Sequence, residues 1–110
     1  MKIVSFGDYE QSAIGFLLGK FINMPRVELV KYCALGLCEE AGEVAGKIKK
    51  AIRDDDGELD SERIEAIALE LGDVLWYLTI MAGELGLSLD DIASKNIEKL
   101  SSRKERNTIK

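Results

Sequence analysis

The chain has 110 residues, 20 acidic and 15 basic, with two cysteines, no histidine and a formal net charge of −5. This length suits one domain, residues 1–110, built on one modest core. The acidic balance argues against a DNA or RNA duplex as partner, because such binding needs a basic face. The lack of histidine excludes mixed cysteine–histidine zinc sites and histidine-based triads.

Met1-Lys2-Ile3 is soon followed by Asp8 and Glu10, which is not the pattern of a secretory signal. The longest apolar segment, the seventeen residues from Ala66 to Ala82, is shorter than a bilayer span and carries two carboxylates. A soluble cytoplasmic protein with no membrane partner is expected. Cys33 and Cys38 would stand about 140° apart on a helix, poorly placed to bridge each other, and read as reduced core residues.

Helical patterns run through the whole sequence. Ile14, Leu17, Leu18 and Phe21 recur at helical spacing and predict a short helix from Tyr9 to about Phe21, weakened by Gly15 and Gly19. Asn23-Met24-Pro25 is a break followed by a fresh start, with proline tolerated in the first turn. A second helix is predicted from Pro25 to about Ile52, with an apolar stripe of Val30, Ala34, Cys38, Ala41, Ala45 and Ile48. The acidic stretch from Asp54 to Glu62 holds six carboxylates but is not a calcium loop. With Gly57 as the sixth residue of an EF-hand, Ile52 would occupy the first ligand position. It reads as a hydrophilic connector.

Ser61 is the predicted cap of a third helix reaching about Gly86. Ser88-x-x-Asp91 is a capping-box analogue opening a fourth helix through about Arg103, and the polar tail from Lys104 is expected to fray. The resulting fold class is all-α, a four-helix, bundle-like protomer.

Two groups of acidic residues stand out. Glu70 and Asp73 lie about 60° apart on a third helix whose apolar surface covers most of its circumference. A bare carboxylate there would incur a large desolvation cost unless paired, metal-bound or protonated. Glu39, Glu40 and Glu43 span about 100° of the second helix, opposite its small-residue stripe. Alone they would read as a solvated face. Gly36, Gly42 and Gly46 around them, each costly in a helix interior, point instead to tight helix approach or ligand access. Two such clusters on facing helices would suit Mg2+, with Mn2+ as a substitute, because hard carboxylate oxygens bind both and phosphate oxygens complete the shell.

The ordered pattern Glu39-Glu40-x-x-Glu43, twenty-six residues, then Glu70-x-x-Asp73 resembles the MazG-like, all-alpha nucleoside triphosphate pyrophosphohydrolases. The strings LGLCEEAGEVAGKIKK and ELGDVLWYL are similar to that family too, as is Asn96-x-x-Lys99-Leu100-x-x-Arg103, so the likeness runs from about Tyr32 to Arg103. It implies hydrolysis between the α and β phosphates of a nucleotide, giving a monophosphate and pyrophosphate. Glu39, Glu40, Glu43, Glu70 and Asp73 would form the metal cluster, with one or two ions. Glu40, Glu43 and Asp73 would be catalytic, Glu40 as the base. Asn96, Lys99 and Arg103 would contact phosphate or sugar, Tyr77 the base, and Lys47 a phosphate. A homodimer, or a tetramer of such dimers, is implied as well. The resemblance departs at Thr108-Ile109-Lys110, where relatives often continue with a glycine-containing tail that helps close a neighbouring site, so the family assignment is a firmer expectation than activity.

Plainer readings stand beside these. Trp76 suits core or subunit packing, and Tyr77 suits packing as well as base contact. Lys99 and Arg103 also suit a basic helix terminus that complements the dipole. The alternatives for the whole chain are a non-catalytic helical interaction module and a hydrolase of a phosphorylated non-nucleotide.

Overall fold

The computed structural model describes residues 2–107, so the terminal Thr108-Ile109-Lys110 lies outside the described residues. Five helices follow in order, α1 Phe6–Ile14, α2 Gly19–Ile22, α3 Arg26–Asp55, α4 Ser61–Glu84 and α5 Leu89–Glu105, with no strand among the described residues. The all-α class and three of the four predicted helices are as expected. The first is divided. Ser5 opens α1 ahead of the expected start by accepting the Asp8 amide, and Asp8 accepts the Val4 amide in return. Gly15 closes it, and α2 is a single separate turn.

Pro25 caps α3, where its missing N–H is no loss, and its carbonyl accepts the Leu29 amide. The 30 residues of α3 make a rod of about 45 Å. It ends where Asp56 turns left-handed and Gly57, also at positive φ, donates its N–H to Ala51. Asp60, not Ser61, caps α4. Its carboxylate accepts the Arg63 amide at 2.8 Å, and Ser61 is already the first helical residue. Ser88 and Asp91 form the expected capping box. α5 runs on through Lys104 and Glu105, where fraying was expected.

The core gathers Ala13, Phe21, Leu29, Cys33 and Ile80, with Tyr9, Trp76 and Tyr77 packed against it. Trp76 donates its indole N–H to the Ala13 carbonyl at 2.9 Å, tying α4 to the end of α1. Trp76→Phe removes that donor and shrinks the ring, while the Ala13 carbonyl keeps the Phe16 amide, so a loss of about 1–2 kcal/mol is expected in chemical denaturation. The Leu89 amide, in turn, donates to Glu10, which docks α5 on α1. Cys33 is buried in the core as expected, but Cys38 is exposed, because it lies off the α3 face that meets α4.

That face corrects the predicted stripe. α3 buries Leu29, Cys33, Gly36 and Ala51, whereas Cys38, Ala41 and Ala45 look outward. Only one side of α4 is covered, and Ile64, Leu69 and Leu71 remain more than half exposed. At 24 residues, α4 is long and apolar enough in composition to cross a membrane, a point the shorter apolar segment did not convey. Its Glu70 and Asp73 lie within that length and meet α3. The radius of gyration is 16.7 Å, against about 13 Å for a compact chain of this length. The chain is therefore extended, and α5 packs chiefly on α1.

Candidate metal centre between two helices

α3 and α4 form an antiparallel hairpin, legible in a ladder of contacts. Arg63 pairs with Asp55 at 2.9 Å near the connection, and Lys47 pairs with Glu70 at 3.7 Å further along. Glu40 then meets Glu70 and Asp73, and Tyr77 lies against Gly36. On α3 these positions step by four or seven residues from Leu29 through Gly36, Glu40 and Lys47 to Ala51, which is a single helical face. Helical periodicity thus carries Glu40 and Lys47 to α4 along with the core residues. On α4, Glu70, Asp73 and Tyr77 follow at steps of three and four and answer from the other side.

Carboxylate oxygens of Glu40, Glu70 and Asp73 all lie within 4.8 Å of one another. Glu40 and Glu70 are half-buried and Asp73 is exposed, so the group is anchored at the helix interface and open on one side. Partial burial, close approach of the Glu70 carboxyl and the charges on Asp73, Glu70 and Glu39 hold the Glu40 carboxyl above the usual carboxylate range. Three converging acids are a donor set for a hard divalent cation, and Lys47 pairs with one of them, Glu70.

The raised Glu40 carboxyl has a consequence for stability. Folding favours its neutral form, so its contribution is fully present below the ordinary glutamate range and is lost as pH rises through the raised value. Melting of metal-free protein from about pH 4 to about pH 8 should therefore show a declining component that Glu40→Gln flattens. An identical pH profile in the two proteins would contradict this.

The other predicted residues are distributed differently. Glu39 and Glu43 are exposed and stand outside the converging trio, because they flank Glu40 at about 100° and 60° around α3. Of the three glycines, only Gly36 marks a tight approach, since a Cβ at Gly42 or Gly46 would meet open space. Tyr77 is half-buried, its ring on Gly36, edge-on to Trp76 at 5.1 Å and tilted to Tyr32 at 6.1 Å. Burial, interaction with Tyr32 and the charges of Glu40 and Glu39 push its phenol up to about 12. The ring thus lies half-buried on α3 within the electrostatic reach of Glu40.

Asn96 and Lys99 are exposed on α5, and Lys99 borders a shallow groove with Lys95, Glu98 and Ser102. Neither is hydrogen-bonded or ion-paired to the acidic trio, while Arg103 is half-buried near the end of the helix. Tyr9 was not foreseen. It reaches the Asp73 side from α1, where burial and the Asp73 charge raise its phenol. Nothing in the local pattern of α1 signals this, because the contact spans more than sixty residues of sequence.

The chain matches the MazG nucleotide pyrophosphohydrolase domain over residues 30–108, which holds every residue of the acidic trio. It belongs to the MazG nucleotide pyrophosphohydrolase family. Family membership carries pyrophosphohydrolase chemistry on phosphorylated substrates. The chain is 42% identical over 83 residues to the Gene 37 protein of Mycobacterium phage L5, covering 76% of this chain and 73% of that one. It is 38% identical over 74 residues to the uncharacterized protein YvdC of Bacillus subtilis strain 168, covering 63% and 70%. No solved structure matches. In MazG terms, the matched span contains nearly all of α3 and the whole of α4 and α5, while α1 and α2 lie outside it.

Proposed function

We infer that this chain hydrolyses nucleoside or deoxynucleoside triphosphates to the monophosphate and pyrophosphate, using Mg2+ held between α3 and α4. The observation that carries this reading is the convergence of Glu40, Glu70 and Asp73 from two facing helices, their oxygens within 4.8 Å of one another. The donor set fits the ion. It is all carboxylate, and the buried Cys33 belongs to the core cluster instead. Glu40, Glu70 and Asp73 would hold the metal, with Glu39 and Glu43 available from the exposed shoulder of α3. When bound, Mg2+ neutralises charge on phosphate oxygens and polarises the phosphoryl group; Mn2+ would serve in its place.

The chain's own residues do the rest. Glu40, whose carboxyl is held above the usual carboxylate range by its acidic neighbours, accepts a proton from the attacking water. The water oxygen bonds to phosphorus at the α–β linkage, the bridging P–O bond breaks, and pyrophosphate departs with the electron pair. Glu43 assists from the next turn of α3. Lys47 meets phosphate oxygens at the rim, and Tyr77 with its aromatic neighbours offers an apolar surface to the base.

Asn96, Lys99 and Arg103 complete the reading through a second copy of the chain. The protomer is extended, leaves many large apolar side chains exposed and holds α5 chiefly against α1. A homodimer, or a tetramer of dimers, would cover that surface and place a partner's α5 over the phosphates. Light scattering should show no stable monomer at high protein concentration. Purely monomeric, fully active protein would remove the second copy from the reading.

A nucleotide panel with Mg2+, resolving pyrophosphate from orthophosphate, tests the reaction itself. Pyrophosphate as the first product is expected. Orthophosphate as the sole initial product, or no turnover of any nucleotide, would overturn it.

A further inference from the structure

We propose that Lys47 acts as a built-in counter-cation, holding Glu70 until a substrate phosphate draws it away and so making metal occupancy depend on nucleotide. The inference rests on the metal centre proposed above and concerns how that centre is loaded. Lys47 lies on the α4-facing side of α3, seven residues beyond Glu40, and its ammonium is 3.7 Å from the Glu70 carboxylate. This pair is not an ordinary surface bridge, because its side chains are only 31% and 19% exposed. The bridges between Lys31 and Glu28 and between Arg53 and Asp54 are far more open to water. Partial burial weakens solvent screening, so the charge is felt by everything that approaches Glu70.

The chemistry is a competition for one carboxylate. Glu70 is shared between Lys47 and the oxygens of Glu40 and Asp73. A divalent cation entering the trio alone meets Glu70 already neutralised and an ammonium of like charge beside it. A triphosphate changes both conditions. Its oxygens are better partners for a flexible, compact ammonium than a half-shared carboxylate, and a lysine stem can turn without moving the backbone. Glu70 is then free for the cation. Neither ligand meets the full set of its partners without the other, which is positive coupling between them.

The test compares wild type with Lys47→Met and Lys47→Gln, which keep most of the stem and a good helix former. Circular dichroism controls for folding. Titration calorimetry with Mg2+ alone, without nucleotide, should show binding about tenfold tighter in both variants than in wild type. A nonhydrolysable triphosphate analogue should tighten Mg2+ binding in wild type, and this enhancement should shrink in the variants; Lys47→Arg should retain it. A merely structural role for Lys47 cannot make a variant bind metal more tightly. Equal or weaker Mg2+ binding by both variants, alongside measurable binding in wild type, overturns the role of Lys47 and leaves the metal centre standing. Wild type that binds no Mg2+ even with the analogue present overturns the metal centre, and the role of Lys47 with it.

Discussion

Asp73→Asn is expected to lower nucleotide turnover at saturating Mg2+ by on the order of 100-fold or more, beyond what losing an outer-shell partner usually costs. Asparagine keeps the size and one oxygen of the side chain but removes the charge that, with Glu40 and Glu70, attracts the cation. Folding should not suffer. Asp73 is exposed, and its negative charge helps hold the Glu40 carboxyl above its usual range, so neutralising it relieves repulsion in the metal-free protein. The melting temperature without metal should stay level or rise, while the rise that Mg2+ produces in wild type should be lost. Activity and stability thus move in opposite directions, the pattern of a residue kept for chemistry. Normal turnover by the variant would show that Asp73 holds no essential ion.

Gly36→Ala should do the reverse and strike the fold first. A methyl group at Gly36 would clash with the Tyr77 ring at Cε1, Cζ and Cδ1. That ring cannot retreat easily, being packed edge-on against Trp76 and set beside Tyr32, itself stacked on Phe21 at 4.4 Å. The overpacking cost of about 1–3 kcal/mol should outweigh the gain of up to about 1 kcal/mol from replacing glycine inside a helix. A fall in melting temperature of about 5–15 °C is expected. Glu40 lies one turn further along the same face, so spreading the helices at Gly36 should also open the carboxylate trio and weaken Mg2+ binding. Tyr77→Leu should recover part of the stability in the Gly36→Ala background but little in wild type, a non-additive pair. A variant that melts like wild type would mean that the hairpin has slack at this crossing.

Much of this was readable from local chemistry. Ser88 and Asp91 announced their capping box, Pro25 the start of α3, and Gly86 the end of α4, because each acts on the backbone within one turn. The spaced acids pointed to the family without any structure, since both halves of the motif are contiguous strings. Two readings fell short, for different reasons. The first helix was expected to run on to Phe21, but Gly15 closes it, and the apolar stripe through Cys38, Ala41 and Ala45 looks outward and not toward α4. Periodicity shows that a helix has faces but does not say which face a partner will occupy. At α3, small residues on one side competed with Leu29, Cys33, Gly36 and Ala51 on another.

By itself the sequence determined the helical class, most helix ends and membership of a hydrolase family, because caps, breakers and motif spacing act over a few residues. Only the tertiary structure decided that Glu40, and neither Glu39 nor Glu43, joins Glu70 and Asp73, and that Lys47 sits on Glu70. Those outcomes depend on the rotation of α3 against α4, which is set where the Tyr77 ring meets the bare backbone of Gly36. An azimuth between two helices is a property of the pair, and neither helix encodes it alone.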